Sequence, residues 1–567
     1  MTERIAGLIA VARGQAPADL VLKNALVVNV FNGEIEPGNV AVFDGYIAGI
    51  GGYTQAKEII DLDHSYLLPG LINGHVHIES SMLDVGQYAR AVVPRGTTAL
   101  ITDLHEIANV CGMEGIRYVL QSARDLPFDI FLMAPSCVPA THLETAGASL
   151  GLAEIQQLLT LPECLGLGEM MNYPGVLFRD KTVLAKIAAA RGKVVDGHAP
   201  GLSGKDLEAY ISAGIYSDHE SIGFEEAREK LRRGMHIMIR EGSSEKNLED
   251  LLPLVKNETF RRCMLVVDDR SCTDLLRDGD IDAVVRKAIH LGINPVRAIQ
   301  MATINTAEYF RLEKLGAVAP GYYANLVVAA NLASFPIDVV FYRGKLVGNG
   351  RQPLFTASRT IEKRLNDTVR IKPFNREALR LKRRGETMPV IEVVPGQIVT
   401  RKRMEKVVVA DGFVQTDTER DILKLVVVER HKATGNLGIG LVMGFGLQKG
   451  ALASSIAHDS HNIVAVGTSD TDIFTAVKEI ERMQGGLAVA ADGKVIASLS
   501  LPVAGLLSDK PLETVANKLE KVEKAAAGLG CKLASPFSTL SFVALPVIPE
   551  LRLTDLGMVD VKEFRLI

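Results

Sequence analysis

Short apolar runs rich in β-branched residues recur along the first half of the chain, and most of them end in ionisable side chains. Stretches with helical periodicity or helix-forming composition separate these runs. Eight runs can be counted, at residues 66–77, 97–106, 128–139, 165–172, 193–200, 214–221, 236–243 and 263–269. Strands that alternate with helices indicate parallel βαβ units, and eight units over about 250 residues match a closed (β/α)8 barrel. The pattern therefore predicts an α/β fold built around a (β/α)8 barrel.

The carboxyl ends of the predicted strands are where chemistry is expected, because active sites of (β/α)8 barrels lie there. The first strand ends in His75 and His77, whose spacing lets both imidazoles point to one face and reach one metal ion. Later strand ends carry Asp103, His105, Glu106, Glu169, His198, His219, Arg240, Glu241, Asp268 and Asp269. Histidine and carboxylate ligands together suit Zn, Mn, Fe or Co better than Ca or Mg. The sequence thus predicts a catalytic metal centre.

Each residue of this set, taken alone, can also be interpreted as having a purely structural role. Taken alone, His198 is typical of a hydrogen-bonded core histidine, His219 of a solvated acidic turn, and Asp268 of a helix N-cap. Glu169 is harder to explain in this way, because a carboxylate at the end of an apolar strand is costly to bury unless a cation neutralises it. The ordered set of strand ends, rather than any one residue, favours the metal centre.

Six strand-end residues are candidates by position only, either for contact with a substrate or for orienting the metal ligands. They are Asp103, His105, Glu106, Arg240, Glu241 and Asp269. Neighbouring residues of a strand point to opposite faces, so only one of Asp268 and Asp269 should face the metal ions. The sequence leaves open which of the two it is.

The ordered motifs resemble the metal-dependent amidohydrolase superfamily and, within it, the bacterial adenine deaminases. The closer resemblance is carried by residues 69–81, 102–110, 168–174, 196–201, 218–220, 457–462 and 483–486, and so covers nearly the whole chain. One departure from the commonest amidohydrolase pattern is Glu169, where many members have a carboxylated lysine. The resemblance implies that Glu169 itself bridges two metal ions.

The resemblance also implies a ligand set and a reaction. It places His75, His77, Glu169 and Asp268 at one ion, and Glu169, His198 and His219 at the other. Two divalent ions are implied, with Mn or Fe favoured and Zn possible. Their shared hydroxide would attack C6 of adenine and give hypoxanthine and ammonia, a reaction of purine salvage. Asp268, Glu169 and His219 are then the expected catalytic residues, and Asp268 would carry the proton to the leaving nitrogen.

Two other functions stay open at this point. Another amidohydrolase acting on a cyclic amide, of the dihydroorotase or hydantoinase kind, would use the same fold and ligands. A non-catalytic relative that binds purine is a second alternative, although the complete ligand set speaks against it. The other zinc deaminase design, His-x-Glu with Pro-Cys-x-x-Cys, is absent from the sequence.

Strand-rich segments flank the predicted barrel. Turn signals at residues 31–34 and 43–46 predict hairpins before it, and a similar strand-rich segment follows it at 316–349. In amidohydrolases such flanks combine into one small β domain. We therefore expect a composite domain of residues 1–64 and 313–360 around a barrel of residues 65–312. The charged stretch that follows reads as a linker or solvated surface, at residues 361–390.

Residues 391–567 predict a second α/β or α+β region, which the resemblance marks as an adenine-deaminase-type domain. Strands are predicted near 406–409, 424–428, 463–466, 486–491 and 494–500, and helices at 471–484 and 512–529. A cluster at residues 458–461 suits either a second metal site or a hydrogen-bonded turn. We expect the region to have a structural or active-site-covering role.

Composition narrows the classes of function. Apolar residues make up 47% of the chain, enough for large cores, but no uninterrupted apolar span of about 20 residues occurs. A formal net charge of −4 argues against binding of nucleic acid. Six scattered cysteines and an N-terminus without a secretory pattern indicate the cytoplasm. We expect a cytoplasmic enzyme with a small-molecule substrate, adenine, and no membrane partner. A homo-oligomer, a dimer or larger, is also expected.

Overall fold

The computed structural model describes residues 2–357 and 362–567. The chain begins with helix α1 (Thr2–Ala12) and strands β1 (Ala18–Val28), β2 (Ile35–Phe43), β3 (Tyr46–Gly51), β4 (Ala56–Asp61) and β5 (Tyr66–Pro69). Strands β2 and β3 form a hairpin whose turn residues, Asp44 and Gly45, both have positive φ. That geometry is the two-residue turn that suits twisted antiparallel strands, and it confirms the hairpin predicted at residues 43–46.

The barrel strands follow directly. They are β6 (Leu71–Asn73), β7 (Val76–His77), β8 (Thr97–Thr102), β9 (Asp129–Pro135), β10 (Cys164–Met170), β11 (Val194–Gly197), β12 (Ser217–Asp218), β13 (His236–Arg240), β14 (Cys263–Val266) and β15 (Asp268–Asp269). Each of the eight predicted runs contains a strand, so the predicted barrel is confirmed. The first run contains three strands, β5, β6 and β7, and the eighth contains β14 and β15. Strand β7 pairs with β15 and closes the ring.

One parallel ladder runs through β6, β8, β9, β10 and β11, each strand pairing with the next in that order. A second parallel ladder runs through β12, β13 and β14. Strands β11 and β12 are joined by hydrogen bonds from backbone amides to side-chain oxygens. The Gly197 amide donates to Ser217 Oγ at 3.2 Å, and the Ala199 amide donates to Asp218 Oδ1 at 2.9 Å. All eight strands therefore direct their carboxyl ends to one face of the barrel.

Helices cover the outside of the barrel. They are α2 (Val85–Val92), α3 (His105–Ala123), α4 (Leu152–Leu159), α5 (Tyr173–Leu177), α6 (Lys181–Ala189), α7 (Gly204–Ser212), α8 (Phe224–Arg232), α9 (Leu248–Leu251), α10 (Cys272–Arg277), α11 (Ile281–His290), α12 (Pro295–Met301) and α13 (Ile304–Phe310). Ile72, Ile101, Met133 and Met264 fill the interior in one cluster with Phe310 from α13. This apolar layer fills the barrel interior, and the polar strand ends lie on one side of it.

Four strands after the barrel complete the first sheet. They are β16 (Leu326–Ala329), β17 (Val339–Tyr342), β18 (Lys345–Asn349) and β19 (Gln352–Pro353). Strand β16 pairs antiparallel with β5, so segments from both sides of the barrel form one sheet. The small β domain is thus built from both flanks, as predicted, but it includes β5, which lies beyond the predicted boundary at residue 64. The predicted boundary between residues 360 and 361 lies outside the described residues.

The predicted linker stretch begins with short 3₁₀ helices at Lys363–Asn366 and Arg376–Leu379. Most of its charged side chains are exposed, whereas Val369, Ile371 and Leu379 are buried in a cluster with residues of the C-terminal sheet. The stretch is thus solvated on one side and anchored on the other, because its apolar side chains pack against that sheet.

The C-terminal region has thirteen strands and three helices among its described residues. They are β20 (Thr387–Val393), β21 (Thr400–Lys406), β22 (Val408–Ala410), β23 (Phe413–Gln415), β24 (Leu423–Val428), β25 (Leu437–Met443), β26 (Ala451–Ser454), β27 (Ile463–Gly467), α14 (Asp470–Met483), β28 (Gly486–Ala491), β29 (Lys494–Ser500), α15 (Leu512–Gly528), α16 (Pro536–Phe542), β30 (Leu551–Thr554), β31 (Gly557–Asp560) and β32 (Arg565–Leu566). Both predicted helices match within a residue.

Eight of these strands form one sheet in the order β21-β20-β25-β24-β27-β26-β28-β29. Helix α14 packs on one face, and the other face joins a hydrophobic cluster that continues into the barrel. Hydrogen bonds also cross this junction: the Ser508 amide donates to the Met82 carbonyl, and Thr554 Oγ1 donates to the Leu143 carbonyl. The C-terminal region is therefore docked on the barrel. No helix among the described residues combines the length and apolar character needed to cross a bilayer.

Candidate metal centre

Glu169 lies at the centre of a buried group of ligand-type side chains at the end of β10. One of its oxygens, Oε2, is 2.5 Å from His198 Nδ1 and 2.9 Å from His219 Nε2. The other, Oε1, is 3.5 Å from His77 Nε2 and 3.9 Å from His75 Nε2. The carboxylate thus offers one oxygen to each pair of histidines, which is the arrangement expected of a bridging ligand.

Asp268 completes the side of the group that holds His75 and His77. Its Oδ1 is 3.2 Å from His77 Nε2 and 3.5 Å from His75 Nε2, and its Oδ2 accepts a hydrogen bond from Arg240 at 2.9 Å. The backbone of Asp268 is left-handed, with φ of 65°, and its amide donates to the His75 carbonyl. This conformation is uncommon outside glycine, asparagine and aspartate, and it occurs at the break between β14 and β15.

Asp269 lines the cavity around these ligands, but among the described residues its carboxylate forms no ion pair within 4.0 Å with a histidine. Its carboxylate contacts the Ser80 hydroxyl, and the residue is half-buried where Asp268 is buried. The structure therefore places Asp268, rather than Asp269, beside the predicted metal ligands.

The donor set fits divalent transition metals. Several groups of three or more of these residues offer ligand atoms within 4.8 Å of one another, among them His75, His77 and Asp268, and His75, Glu169 and His219. His75 Nε2 and His198 Nε2 are buried without a hydrogen-bond partner, which is costly for a polar atom unless a ligand satisfies it. Nitrogen and carboxylate donors in this combination match Zn, Mn, Fe or Co.

The electrostatics of the group favour cations. Burial opposes protonation of His77, but the Asp103 and Asp268 carboxylates outweigh it and raise the pKa of His77 well above its usual range. Burial similarly opposes a charged His219, yet Glu169 raises its pKa to about 9. The same carboxylates would also attract a metal ion. Because histidine ligands must be neutral, binding of the metal ion would release the protons of His77 and His219.

The two neighbouring aspartates are shifted in opposite directions. Burial raises the pKa of Asp268, but the contacts of its carboxylate with the His75 and His77 rings and the charge of Arg240 outweigh burial and hold this pKa well below its usual range. For Asp269, burial and the adjacent Asp268 charge both raise the pKa. Groups whose environments separate their pKa values in this way commonly have different roles.

Three residues that were predicted by strand-end position alone, Asp103, His105 and Arg240, lie around the predicted ligands. Asp103 is 2.9 Å from His105 Nδ1 and 3.5 Å from His77 Nδ1, so it can orient the His77 ring. Arg240 is buried between Asp268 and Glu220, whose Oε2 accepts from Arg240 Nη2 at 3.0 Å. Sequence reasoning missed Glu220, although its position directly after His219 was a signal.

Glu241 is not brought to this group. Its carboxylate lies 2.7 Å from Lys287 Nζ and accepts from the Leu248 amide at 3.3 Å. The strand β13 ends at Arg240, and the side chain of the next residue points to the outside.

The C-terminal region supplies one wall of a cavity of about 330 Å³ around the ligands. This wall, here called the C-terminal wall, consists of His458, Asp459, Phe542, Leu545 and Ile548. Sequence reasoning proposed the cluster at 458–461 but missed the three apolar residues, because nothing in the sequence distinguishes them from core residues.

Contacts hold the C-terminal wall against the barrel. His458 Nδ1 is 2.6 Å from Glu106 Oε1, and the His458 ring stacks on Phe542 with centroids 4.4 Å apart. Asp459 Oδ1 is 3.6 Å from His105 Nε2. Glu106 and His105, predicted only as strand-end residues, thus connect the barrel to this wall.

A buried arginine fixes the apolar part of the C-terminal wall. The Arg552 guanidinium donates to the carbonyls of Phe542 and Ile548 at 2.7 Å and to that of Ile398 at 2.6 Å. Burial lowers the pKa of Arg552 to about 9. Because its partners are backbone carbonyls, Arg552 holds the path of the chain at Phe542 and Ile548.

Solved structures with a similar chain course were found at low sequence identity. A β-aspartyl dipeptidase from Fervidobacterium islandicum AW-1 has a TM-score of 0.46 at 15% identity, covering 61% of this chain and 100% of that one. An adenosine deaminase from Xanthomonas campestris has a TM-score of 0.45 at 14% identity, covering 60% of this chain and 94% of that one.

Two family models match the chain. The amidohydrolase family model matches residues 66–347, which contain the barrel and the predicted ligands. The model of the adenine deaminase C-terminal domain matches residues 397–565, which contain the C-terminal wall.

Curated relatives match over the full length. An adenine deaminase of Dehalococcoides mccartyi is 65% identical over 567 residues, covering 100% of this chain and 99% of that protein. Adenine deaminase 2 of Carboxydothermus hydrogenoformans is 52% identical, with 99% of each chain covered. An adenine deaminase of Halalkalibacterium halodurans is 45% identical, covering 100% of this chain and 98% of that protein. At this identity and coverage, the chain belongs to the adenine deaminase family.

Proposed function

We propose that this protein hydrolyses adenine to hypoxanthine and ammonia at a centre of two divalent metal ions. The observation that carries the proposal is the position of Glu169, with His75 and His77 near one oxygen and His198 and His219 near the other. Membership of the adenine deaminase family supports adenine as the substrate.

The residues of the chain have distinct tasks in this proposal. When bound here, two divalent ions would lower the pKa of a shared water from roughly 15.7 to about 7 and so supply a nucleophile. Asp268 is held ionised beside His75 and His77, so its carboxylate can accept the proton of the nucleophile and return it to the departing amino nitrogen. Arg240 keeps Asp268 in this orientation by donating to its second oxygen.

The cavity suits a free base. Its lining is buried apart from the half-buried Asp269, so the space beside the predicted ligands is confined. Phe542, Leu545 and Ile548 offer an apolar surface to the faces of a flat ring, while His105, Glu106 and Asp459 lie near polar edges. A nucleoside would need additional room for its ribose. We therefore infer adenine, rather than adenosine, as the preferred substrate.

The first test is the choice of substrate. Metal-reconstituted protein should convert adenine to hypoxanthine with an equimolar amount of ammonia, and adenine should exceed adenosine, cytosine, guanine and dihydroorotate by a wide margin in kcat/KM. Ultraviolet spectra and an ammonia assay measure this. Ring opening of dihydroorotate with adenine untouched would replace the proposal with a cyclic-amide hydrolase.

The second test is metal content. Purified and reconstituted protein should hold about two transition-metal ions per chain, because the two oxygens of Glu169 lie near two different pairs of histidines. Mn or Fe is proposed from the family resemblance, since the donor set would equally accept Zn. Elemental analysis with circular dichroism as a folding control measures the ratio. Fewer than one ion per folded chain would contradict a dinuclear centre.

The setting of this activity is part of the proposal. Six scattered cysteines are typical of a reducing compartment, so we place the enzyme in the cytoplasm, where it would serve purine salvage. Its partner is a small molecule, with no nucleic acid or membrane involved. A homo-oligomer, a dimer or larger, is also part of the proposal.

A further inference from the structure

A second cavity lies between the barrel and the C-terminal region, beside the cavity around the predicted metal ligands, which is here called the metal cavity. Its volume is about 600 Å³, and eight serines line it, four from each side. Ser80 and Ser244 belong to the barrel side, and Ser535 and Ser538 belong to the C-terminal side. At one edge the hydroxyls of Ser244 and Ser538 meet across the junction, with the two Oγ atoms 2.7 Å apart. We call this space the serine cavity.

The two cavities share a wall made of Asp269 and His458. Every residue that lines the metal cavity is buried except Asp269, which is half-buried. The serine cavity, in contrast, is lined in part by half-buried residues, among them Met82, Glu523 and Ser535. Asp269, the one half-buried residue of the metal-cavity lining, thus belongs to the wall shared with the serine cavity.

The lining of the serine cavity combines hydroxyls with apolar side chains, and the charged residues Asp269, Arg270 and Glu523 also belong to it. Several of the serine hydroxyls already donate within the protein, Ser80 to Asp269 and Ser541 to the Ser538 carbonyl among them, but each hydroxyl oxygen can still accept a hydrogen bond from a purine N–H. Met82, Leu519 and Phe537 offer apolar surface to its faces. Short side chains of this kind leave room for passage, whereas tight binding would need convergent polar groups.

We propose that the serine cavity is the passage through which the base reaches the metal centre and the product leaves. Asp269 and His458 form its neck, one residue from the barrel and one from the C-terminal region. This inference rests on the proposed function for the identity of the base. The neck is held in place, because Asp269 contacts the Ser80 hydroxyl and His458 lies against Glu106 and Phe542.

A cysteine placed in the serine cavity allows the passage to be narrowed in steps. Ser535→Cys is modified with methanethiosulfonate reagents that attach either a methyl or a benzyl group, and the thiol is later freed by reduction. Ser498→Cys, on β29 outside the serine cavity, is the matched control, and unsubstituted protein reports on the native cysteines. Two rates are measured on the metal-loaded protein: kcat/KM for adenine, and the rate at which a chelator removes the metal.

Benzyl-modified Ser535→Cys should lose about tenfold or more in kcat/KM relative to the methyl-modified form, because access limits association. Chelator removal of the metal should slow in parallel, metal content and melting temperature should be unchanged, and reduction should restore both rates. Equal rates with methyl and benzyl groups, or the same losses in modified Ser498→Cys, would overturn the passage. Unsubstituted protein inactive on adenine would refute the proposed function, and the chelator rate alone would then decide on the passage.

Discussion

Replacing Asp268 by asparagine should lower the turnover of adenine by about 10²- to 10⁴-fold, the range typical of a general acid or base, while the metal ions stay bound. The amide has nearly the shape of the carboxylate and keeps an oxygen beside His77, where Oδ1 now lies 3.2 Å from Nε2. It cannot accept the proton of the nucleophile. Arg240 retains Glu220 as its charged partner, so the fold should survive. Steady-state kinetics and elemental analysis of the same sample measure the two effects.

Asp269→Asn is the matched control for this prediction. The neighbouring residue has the same side chain and the same strand, but it faces the Ser80 hydroxyl and the serine cavity. Its substitution should therefore cost much less turnover than that of Asp268. A reversed order of the two variants would transfer the proton-carrying role to Asp269, and loss of metal from Asp268→Asn would show that Asp268 acts mainly as a ligand.

Glu169→Gln should lose metal and turnover together. The substitution keeps the length of the side chain but removes the negative charge between His198, His219 and His77. Even residues that only orient metal ligands contribute about 10- to 100-fold to metal affinity, so a bridging ligand should contribute at least as much. Dialysis against a range of free metal concentrations, followed by elemental analysis and kinetics, measures both quantities.

Folding should survive this substitution, because glutamine removes a buried charge without leaving a void, and the melting temperature of metal-free protein checks it. Glu241→Gln serves as a control, since its carboxylate pairs with Lys287 outside the metal cavity. Both metal content and turnover should be normal in that variant. Near-normal metal binding by Glu169→Gln would mean that another residue bridges the ions.

Strand periodicity made the barrel and most of its polar ends predictable. A short apolar run that ends in an ionisable residue has one natural position, at the carboxyl end of a barrel strand, and Glu169 and His198 lie there. The choice between Asp268 and Asp269 was not predictable, because it depends on the left-handed backbone at Asp268. The alternation of side chains along an ideal strand predicts only that one of Asp268 and Asp269 faces inward, without indicating which.

The apolar part of the site was hidden for a different reason. Phe542, Leu545 and Ile548 are buried side chains in a helix and the segment after it, and their sequence pattern is that of any core. Only their position over the ligands makes them part of the cavity. Strand β25 was missed too, because Gly438 and Gly440 weaken its pattern. A side chain at Gly438 would collide with the Thr554 carbonyl, which explains why glycine is present there.

The division of the site between two parts of the chain also sets an order of assembly. The predicted metal ligands are complete once Asp268 has been synthesised, whereas the C-terminal wall, from His458 to Ile548, emerges from the ribosome much later. Domains generally fold in the order of synthesis, so the ligand cluster precedes the wall that covers it. If the barrel folds first, the metal ions of the proposed centre would reach their ligands before the C-terminal wall covers them. Docking of the C-terminal wall on the barrel would then enclose the predicted ligands in a buried cavity.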